Sequence, residues 1–474
     1  MVKENIQQRI QRGLGMTGYS VHLRKYSIPF HPAFLLYFFA WTISLMTIFV
    51  LGPIFVDQPD TWAGYYRSLG EMLRIWGGLF GFALFAVVIY LILRSLLIGS
   101  LKTFVLKLCF IERLLMLILI ANVFWGVHGY FYGNPLSYVL GDTIRGMFIP
   151  VIYWIVIKSV NTKDQALFFT KVIIIGETIL LIAFIPTGNI PFSFAGRTFL
   201  TAVFFTLLFE ERKLLGQIVY SILVLFGIFT MLTTQAQRGI IIIFIAVIFM
   251  NYLFRLRRIK FSIVFFVFLL PVMVSWGVNE VFDLKIEKDI DVASERFSKT
   301  IEVHGRQKYF GLDESVFQRI GETIDTWRTL NEHSSIFLAT GFGNGAILIN
   351  KLITPSERSV YKTNKKHNLY ITPVAILFRN GLIGLIIYSM LGIYFVKILF
   401  YLRKHRNHLI DMREIVYLKV LLLYQLSVLI MSLIVYWYVG NIIVAFTIPI
   451  IEILRRIMQK QIETLKLNSA LVTT

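Results

Sequence analysis

Runs of roughly 17 to 25 apolar residues recur along nearly the whole chain, each long enough to cross about 30 Å of hydrocarbon at about 1.5 Å per residue. Such a chain has to satisfy its backbone polar groups within each segment, and helices do so. Hydrophobic residues make up 57% of the sequence and charged residues only 16%, and the mean hydropathy is +0.71. These values exclude a soluble globular protein. The expected fold is an all-α integral membrane protein of about twelve transmembrane helices, near 33–55, 73–98, 104–126, 143–160, 166–186, 194–210, 214–232, 238–254, 261–282, 368–402, 415–435 and 437–457. A polar stretch at 283–366 separates the ninth span from the tenth. The resulting segments are a 1–32 N-terminal region, spans one to nine in 33–282, a loop domain in 283–366, spans ten to twelve in 367–457, and a 458–474 tail.

The formal net charge of +20 would suit a nucleic-acid binder if it were gathered on one face. Instead the basic residues sit in short loops between spans, where membrane orientation selects them. The N-terminal Lys3, Arg9, Arg12, Arg24 and Lys25, the pairs Lys102/Lys107, Lys158/Lys163 and Arg212/Lys213, the cluster Arg255, Arg257, Arg258 and Lys260, and the later groups around Arg403 and Arg455 alternate with weakly charged loops. The positive-inside rule assigns these basic loops and both termini to the cytoplasm. It puts 283–366 outside. Residues 1–32 contain no apolar stretch of signal-peptide type before the first span, and the single cysteine, Cys109, excludes an intramolecular disulfide.

On the outward side the orientation rule disfavours arginine, yet Arg67, Arg145, Arg197 and Arg238 stand alone at span ends, joined by Arg319 in the loop and Arg379 in the tenth span. Any one of them could simply snorkel to lipid headgroups. As a set on one face they point to a polyanionic ligand presented from the outer leaflet.

Within the loop, Ser315 and Gln318 have the spacing of a capping box, and Val316, Ile320, Ile324 and Trp327 recur at helical spacing, which predicts an amphipathic helix buried on that side. Arg319 and Glu322 fall on the other side, where they would pair in solvent. Gly341, Gly343 and Gly345 follow; without a strand before and a helix start after, they read as an ordinary loop rather than a phosphate cradle. His367 and Asn368 mark the return to the membrane, His367 as a candidate proton acceptor and Asn368 as a helix cap. Pro373 is expected to break the tenth helix. Asp289 and Asp291 have metal-pair spacing but no further aligned acids, so no metal or cofactor is expected. No internal repeat is visible, nor the paired Pro/Gly-broken helices of an inverted-repeat transporter.

Gln237-Arg238-Gly239 at the start of a span, Arg319 followed by Trp327 and GFGNG, and HNLY at 367–370 followed by RNGLIGL at 379–385 resemble motifs of the O-antigen ligase and O-antigen polymerase superfamily of membrane glycosyltransferases. Gln237 stands where the family has serine, and AGRTFL stands where many members carry a Gly/Asn-rich segment. The resemblance implies transfer of a glycan from undecaprenyl diphosphate to an acceptor sugar hydroxyl on the outer face of the bacterial inner membrane, with inversion and without a metal. It implies His367 as the base, Arg238, Arg319, Arg197, Arg145 and Arg379 on the diphosphate, and Asn368 and Trp327 in support. The expected partners are the lipid-linked donor, a glycan or lipid A core acceptor and membrane lipids, with no nucleic acid. Polymerisation is slightly preferred over ligation to lipid A core. The reading from another class is a transporter or flippase of lipid-linked sugars, which would place its charges at the membrane midplane.

Overall fold

The computed structural model describes residues 20–23, 26–29, 33–42, 108–160, 162–184, 194–210, 214–233, 314–349, 365–367, 369, 371–405, 413–433 and 442–473. The expected spans near 73–98, 238–254 and 261–282 lie outside these residues, as do Arg67, Arg238, Asp289, Asp291 and Asn368. The described chain is predominantly helical: α1 (Ala33–Thr42), α2 (Phe110–Phe131), α3 (Leu136–Ser159), α4 (Lys163–Phe184), α5 (Phe194–Glu210), α6 (Leu214–Thr233), α7 (Glu314–Glu332), α8 (Ser335–Thr340), α9 (Thr372–Lys404), α10 (Arg413–Ser432) and α11 (Ile442–Thr473). Two antiparallel hairpins that the sequence did not announce accompany them: β1 (Ser20–Leu23) with β2 (Tyr26–Pro29), and β3 (Leu348–Ile349) with β4 (Lys365–Lys366).

Among the described residues, four helices are long and apolar enough to cross a membrane: α2, α3, α9 and most of α10. Each buries part of its surface against its neighbours and leaves large apolar side chains outward, such as Ile120, Phe124 and Val127 on α2 and Leu382, Ile383 and Ile386 on α9. With the composition, this makes the chain an integral membrane protein.

Helices α2 and α3 form a hairpin, α9 packs on α2, and α11 packs on α3, α4 and α10. Lipid is as apolar as leucine, so close packing and interhelical hydrogen bonds, rather than hydrophobic burial, join such helices. Asn122 on α2 illustrates this: its Nδ2 donates to the Tyr388 hydroxyl on α9 at 2.9 Å. Trp41 on α1 donates to the Gly176 carbonyl of α4 at 2.8 Å, and Gln425 on α10 donates to Thr447 on α11 at 2.5 Å.

Two polar regions sit at opposite ends of α2, separated along the helix by about 24 Å from Glu112 to His128 at ~1.5 Å per residue. Near its start, the fully buried Glu452 of α11 accepts from Arg455 Nε at 2.7 Å, Arg456 Nε at 2.6 Å and the Tyr394 hydroxyl of α9, while Arg456 reaches Glu112 at 2.7 Å. These contacts tie α2, α9 and α11 together. Near its other end lie the Gly341–Gly345 loop, hairpin β3–β4 and the start of α9, over a small core of Leu330, Phe342, Leu348, Leu369 and Phe378.

Three expectations change here. Pro373 does not break α9, because it occupies the first turn, where a missing N–H is harmless. The break falls at Gly381, with φ 65° and ψ −168°. The last helix runs on to Thr473 instead of ending near 457 before a tail, since its Gln-, Glu- and Lys-rich continuation favours helix. And α7 forms where predicted but faces the opposite way: Glu322, Asp325 and Thr326 are buried, whereas Ile320, Ile324 and Trp327 are exposed. Helix α7 begins at Glu314, which puts Ser315 inside it rather than at its cap.

Candidate active site

Three segments distant in sequence meet at the α2/α3 turn. The first is the N-terminal part of α3, where Tyr138 and Asp142 are four residues apart and so share a face. The second is the glycine loop between α8 and β3. The third is β4 with the start of α9. The Tyr138 and His367 rings stack with centroids 4.1 Å apart and planes 10° apart.

The glycine loop is part of the protein interior. The amides of Phe342, Gly343 and Asn344 donate to the carbonyls of Phe378, Arg379 and Trp125 at 3.0, 2.8 and 2.9 Å, and the Gly345 amide donates to Asp142 Oδ2 at 2.9 Å. Gly343 has φ +81°, and a Cβ there would lie 2.3 Å from the Gly129 nitrogen. Glycine is required because the backbones approach so closely. Asn134 clamps the loop from the α2/α3 turn, donating to the carbonyls of Phe342 and Asn344 at 2.9 and 3.0 Å. With these amides bonded to protein, the loop is not a phosphate nest.

His367 is placed by its neighbour. Leu348 pairs with Lys366 across β3–β4, and Lys366, itself buried, forms an ion pair with the fully buried Glu322 of α7. This is why α7 turns its acidic face inward. Glu322, expected in solvent, is buried and has a lysine partner.

His367 Nδ1 lies 3.3 Å from the Ala346 carbonyl, and Nε2 lies 3.5 Å from Asp142 Oδ1. The same Oδ1 accepts from Arg379 at 3.2 Å, and a second arm of Arg379 donates to the His367 carbonyl. Arg379 is 2% exposed; its guanidinium spans α3 and the residue it flanks instead of reaching outward. Burial holds the His367 imidazole below its ordinary value of 6.5, and the Arg379 charge adds to that, while Asp142 and the Ala346 carbonyl pull the other way. The ring is therefore neutral near pH 7, as a proton acceptor must be.

Arg145, three residues along α3 from Asp142, is exposed and acts electrostatically on Arg379. Among the described residues it has no ion pair. On the Asp142–Arg379 pair a cavity of about 20 Å³, roughly one water, is lined also by Asn122, Asn344, Asn380 and Tyr388.

Of the sequence-predicted residues, His367, Arg379 and Arg145 come together. Arg319 lies half-buried on α7, one turn before Glu322. Trp327 is exposed and lines a groove of about 570 Å³ with Thr323, Ile324, Arg328, Asn331 and Glu332, none of which is among Tyr138, Asp142, Ala346 and Arg379, the residues described as contacting His367. Arg197 lies in the first turn of α5; Arg238 and Asn368 are outside the described residues. Sequence reading missed Asp142 and Tyr138. The signal for Asp142 is present in the sequence as a lone acid in an apolar helix.

Residues 219–389 match the family described as O-antigen ligase. The matched stretch contains the glycine loop, His367 and Arg379. Over this segment the chain is similar to that family, and the match covers less than half of its length. Asp142, Arg145 and Tyr138 come from outside it, so the family segment and the preceding helix hairpin together make the site. No curated protein matches the chain.

Proposed function

We propose that the protein is a bacterial surface-polysaccharide glycosyltransferase that uses an undecaprenyl-diphosphate-linked glycan as donor and a sugar hydroxyl as acceptor, on the outer face of the inner membrane. The observation that carries this reading is the neutral imidazole of His367 held against Asp142 and Arg379, with the exposed Arg145, which has no ion pair among the described residues, three residues along α3 from Asp142. The match of residues 219–389 to the family described as O-antigen ligase supports the reaction class.

In the proposed reaction His367 takes the proton of the acceptor hydroxyl as its oxygen attacks the anomeric carbon. The bond from that carbon to the diphosphate oxygen breaks, and the electron pair leaves with the lipid diphosphate, inverting the anomeric centre. Negative charge grows on the leaving group, so an exposed guanidinium aimed there stabilises the transition state. Arg145 is the described residue suited to that role, with Arg238, Arg319 and Arg197 as further donors to the diphosphate. Arg379, committed to Asp142 and the His367 carbonyl, is assigned to holding the site.

Polymerisation of repeat units is preferred over ligation of finished glycan, because superfamily members serve many capsule and exopolysaccharide systems. The test is a gel of surface polysaccharide from a host deleted for the gene, with lipid-linked glycans analysed alongside. Single repeats that still reach the surface with loss of the long ladder support the polymerase. Full-length chains accumulating on the carrier support the ligase, and an unchanged profile overturns both.

A further inference from the structure

Asp142 lies outside the matched family segment, is buried at 5% exposure, and touches the glycine loop, Arg379 and His367. Its Oδ2 accepts the Gly345 amide at 2.9 Å, and its Oδ1 faces Arg379 at 3.2 Å and His367 Nε2 at 3.5 Å. A carboxylate needed only to neutralise Arg379 would not have to lie in reach of the imidazole as well. Nor would the ring need Tyr138, one helical turn away, stacked on its face at 4.1 Å.

We propose that Asp142 is the positioning residue of this site: it orients the His367 ring through Nε2 and stabilises the imidazolium that forms when His367 accepts a proton. The proposal rests on the transfer reading above for its role in turnover, though the coupling between carboxylate and imidazole does not depend on that reading. With Asp142 accepting from Nε2, Nδ1 is the nitrogen that takes up the proton, and the Ala346 carbonyl 3.3 Å from it accepts from the N–H then formed, so both contacts are stronger in the protonated ring than in the neutral one. The neutral ring is favoured at rest by burial, and the charged ring finds its partners already in place, so little reorganisation accompanies proton transfer. The arrangement resembles in logic the carboxylate that orients a catalytic imidazole in other hydrolytic and transfer sites.

The other charged groups around the ring are few. From α3 come Asp142 and Arg145, from α9 comes Arg379, and from its own strand comes Lys366, which Glu322 of α7 neutralises. Asp142 is thus the described carboxylate acting on the imidazole.

The test uses the full chain in lipid nanodiscs. Diethyl pyrocarbonate reacts with neutral imidazole, so its rate at His367, followed by mass spectrometry of the modified peptide across pH 5 to 8, reports the ring's protonation without any glycan. Asp142→Asn should move the midpoint lower by on the order of one pH unit. With a lipid-linked repeat unit extracted from a host lacking the gene, the same variant should lower kcat by roughly 10²-fold or more with KM within about threefold. Asp142→Glu retains the charge and tolerates failure of the first variant to fold; it should lower kcat at least about 10-fold in a folded protein. A coincident midpoint, or near wild-type turnover of either folded variant, overturns the proposal and leaves Asp142 a counterion for Arg379. If instead the midpoint shifts but His367→Ala still turns over, the transfer mechanism fails while the coupling stands.

Discussion

Arg379 and Asp142 are 237 residues apart in the chain and meet at 3.2 Å, both nearly inaccessible. The pair joins the re-entering helix α9 to α3. Removing one member of such a pair leaves the other charge buried and unpaired. Arg379→Ala should therefore cost about 3–5 kcal/mol, seen as a large drop in the thermal unfolding midpoint of the detergent-solubilised protein. Arg379→Lys should recover only part of this, because a single ammonium cannot reach the Asp142 carboxylate and the His367 carbonyl with a planar fork.

His367→Ala should abolish polymer formation while lipid-linked donor still binds, checked by donor co-purification. In the wild type, activity should fall on acidification through a limb centred below 6.5, since burial holds the imidazole below that value. The stability linkage has the same direction. Between the folded-state value and 6.5 the unfolded chain binds the extra proton, so the contribution of this group is full above 6.5 and declines as pH falls below it.

Arg145→Ala should weaken donor use about 10- to 100-fold in kcat/KM, as expected for loss of a charge-assisted contact to phosphate. Arg145→Lys should restore part of the activity. Because Arg145 is exposed, its loss should leave the unfolding midpoint close to wild type, in contrast to Arg379→Ala. Equal effects of Arg145→Ala and Arg145→Lys on yield, with normal turnover, would remove it from the site.

Gly381 and Gly392 lie on the same helix and should respond oppositely to alanine. At Gly381 φ is +65° and a new Cβ would lie 2.2 Å from the Ala339 carbonyl oxygen, which costs about 1–3 kcal/mol of strain before the clash is counted. At Gly392 the nearest atom is 3.9 Å away, and alanine should be neutral or gain up to about 1 kcal/mol. Thermal unfolding of the two variants side by side decides the point.

Helices were legible where apolar runs dictate them: the sixth expected span, over 194–210, is found as a helix at Phe194–Glu210. His367 and the glycine loop were legible as local punctuation between polar and apolar segments. The orientation of α7 was not. Periodicity gives the two faces of a helix, but assigning the apolar face to the interior presumes no buried acid-base pair on the other side, and Lys366 supplies one for Glu322. Asp142 was visible as a lone acid in an apolar helix, but its partnership was not: Gly345, His367 and Arg379 lie some 200 or more residues away, and local sequence carries no record of such a pairing. Pro373 misled because position within the turn, not residue type, decides whether proline bends a helix.

The two-rung hairpin that pairs Leu348 with Lys366 and Ile349 with Lys365 has a consequence for how such a chain can diverge. It pins both ends of the 350–364 segment together just ahead of the imidazole. Loop closure costs grow only slowly with length, so this segment is free to lengthen, shorten or change its chemistry without re-aiming His367. The sequence between the two strands can change under selection while the geometry around His367 stays fixed.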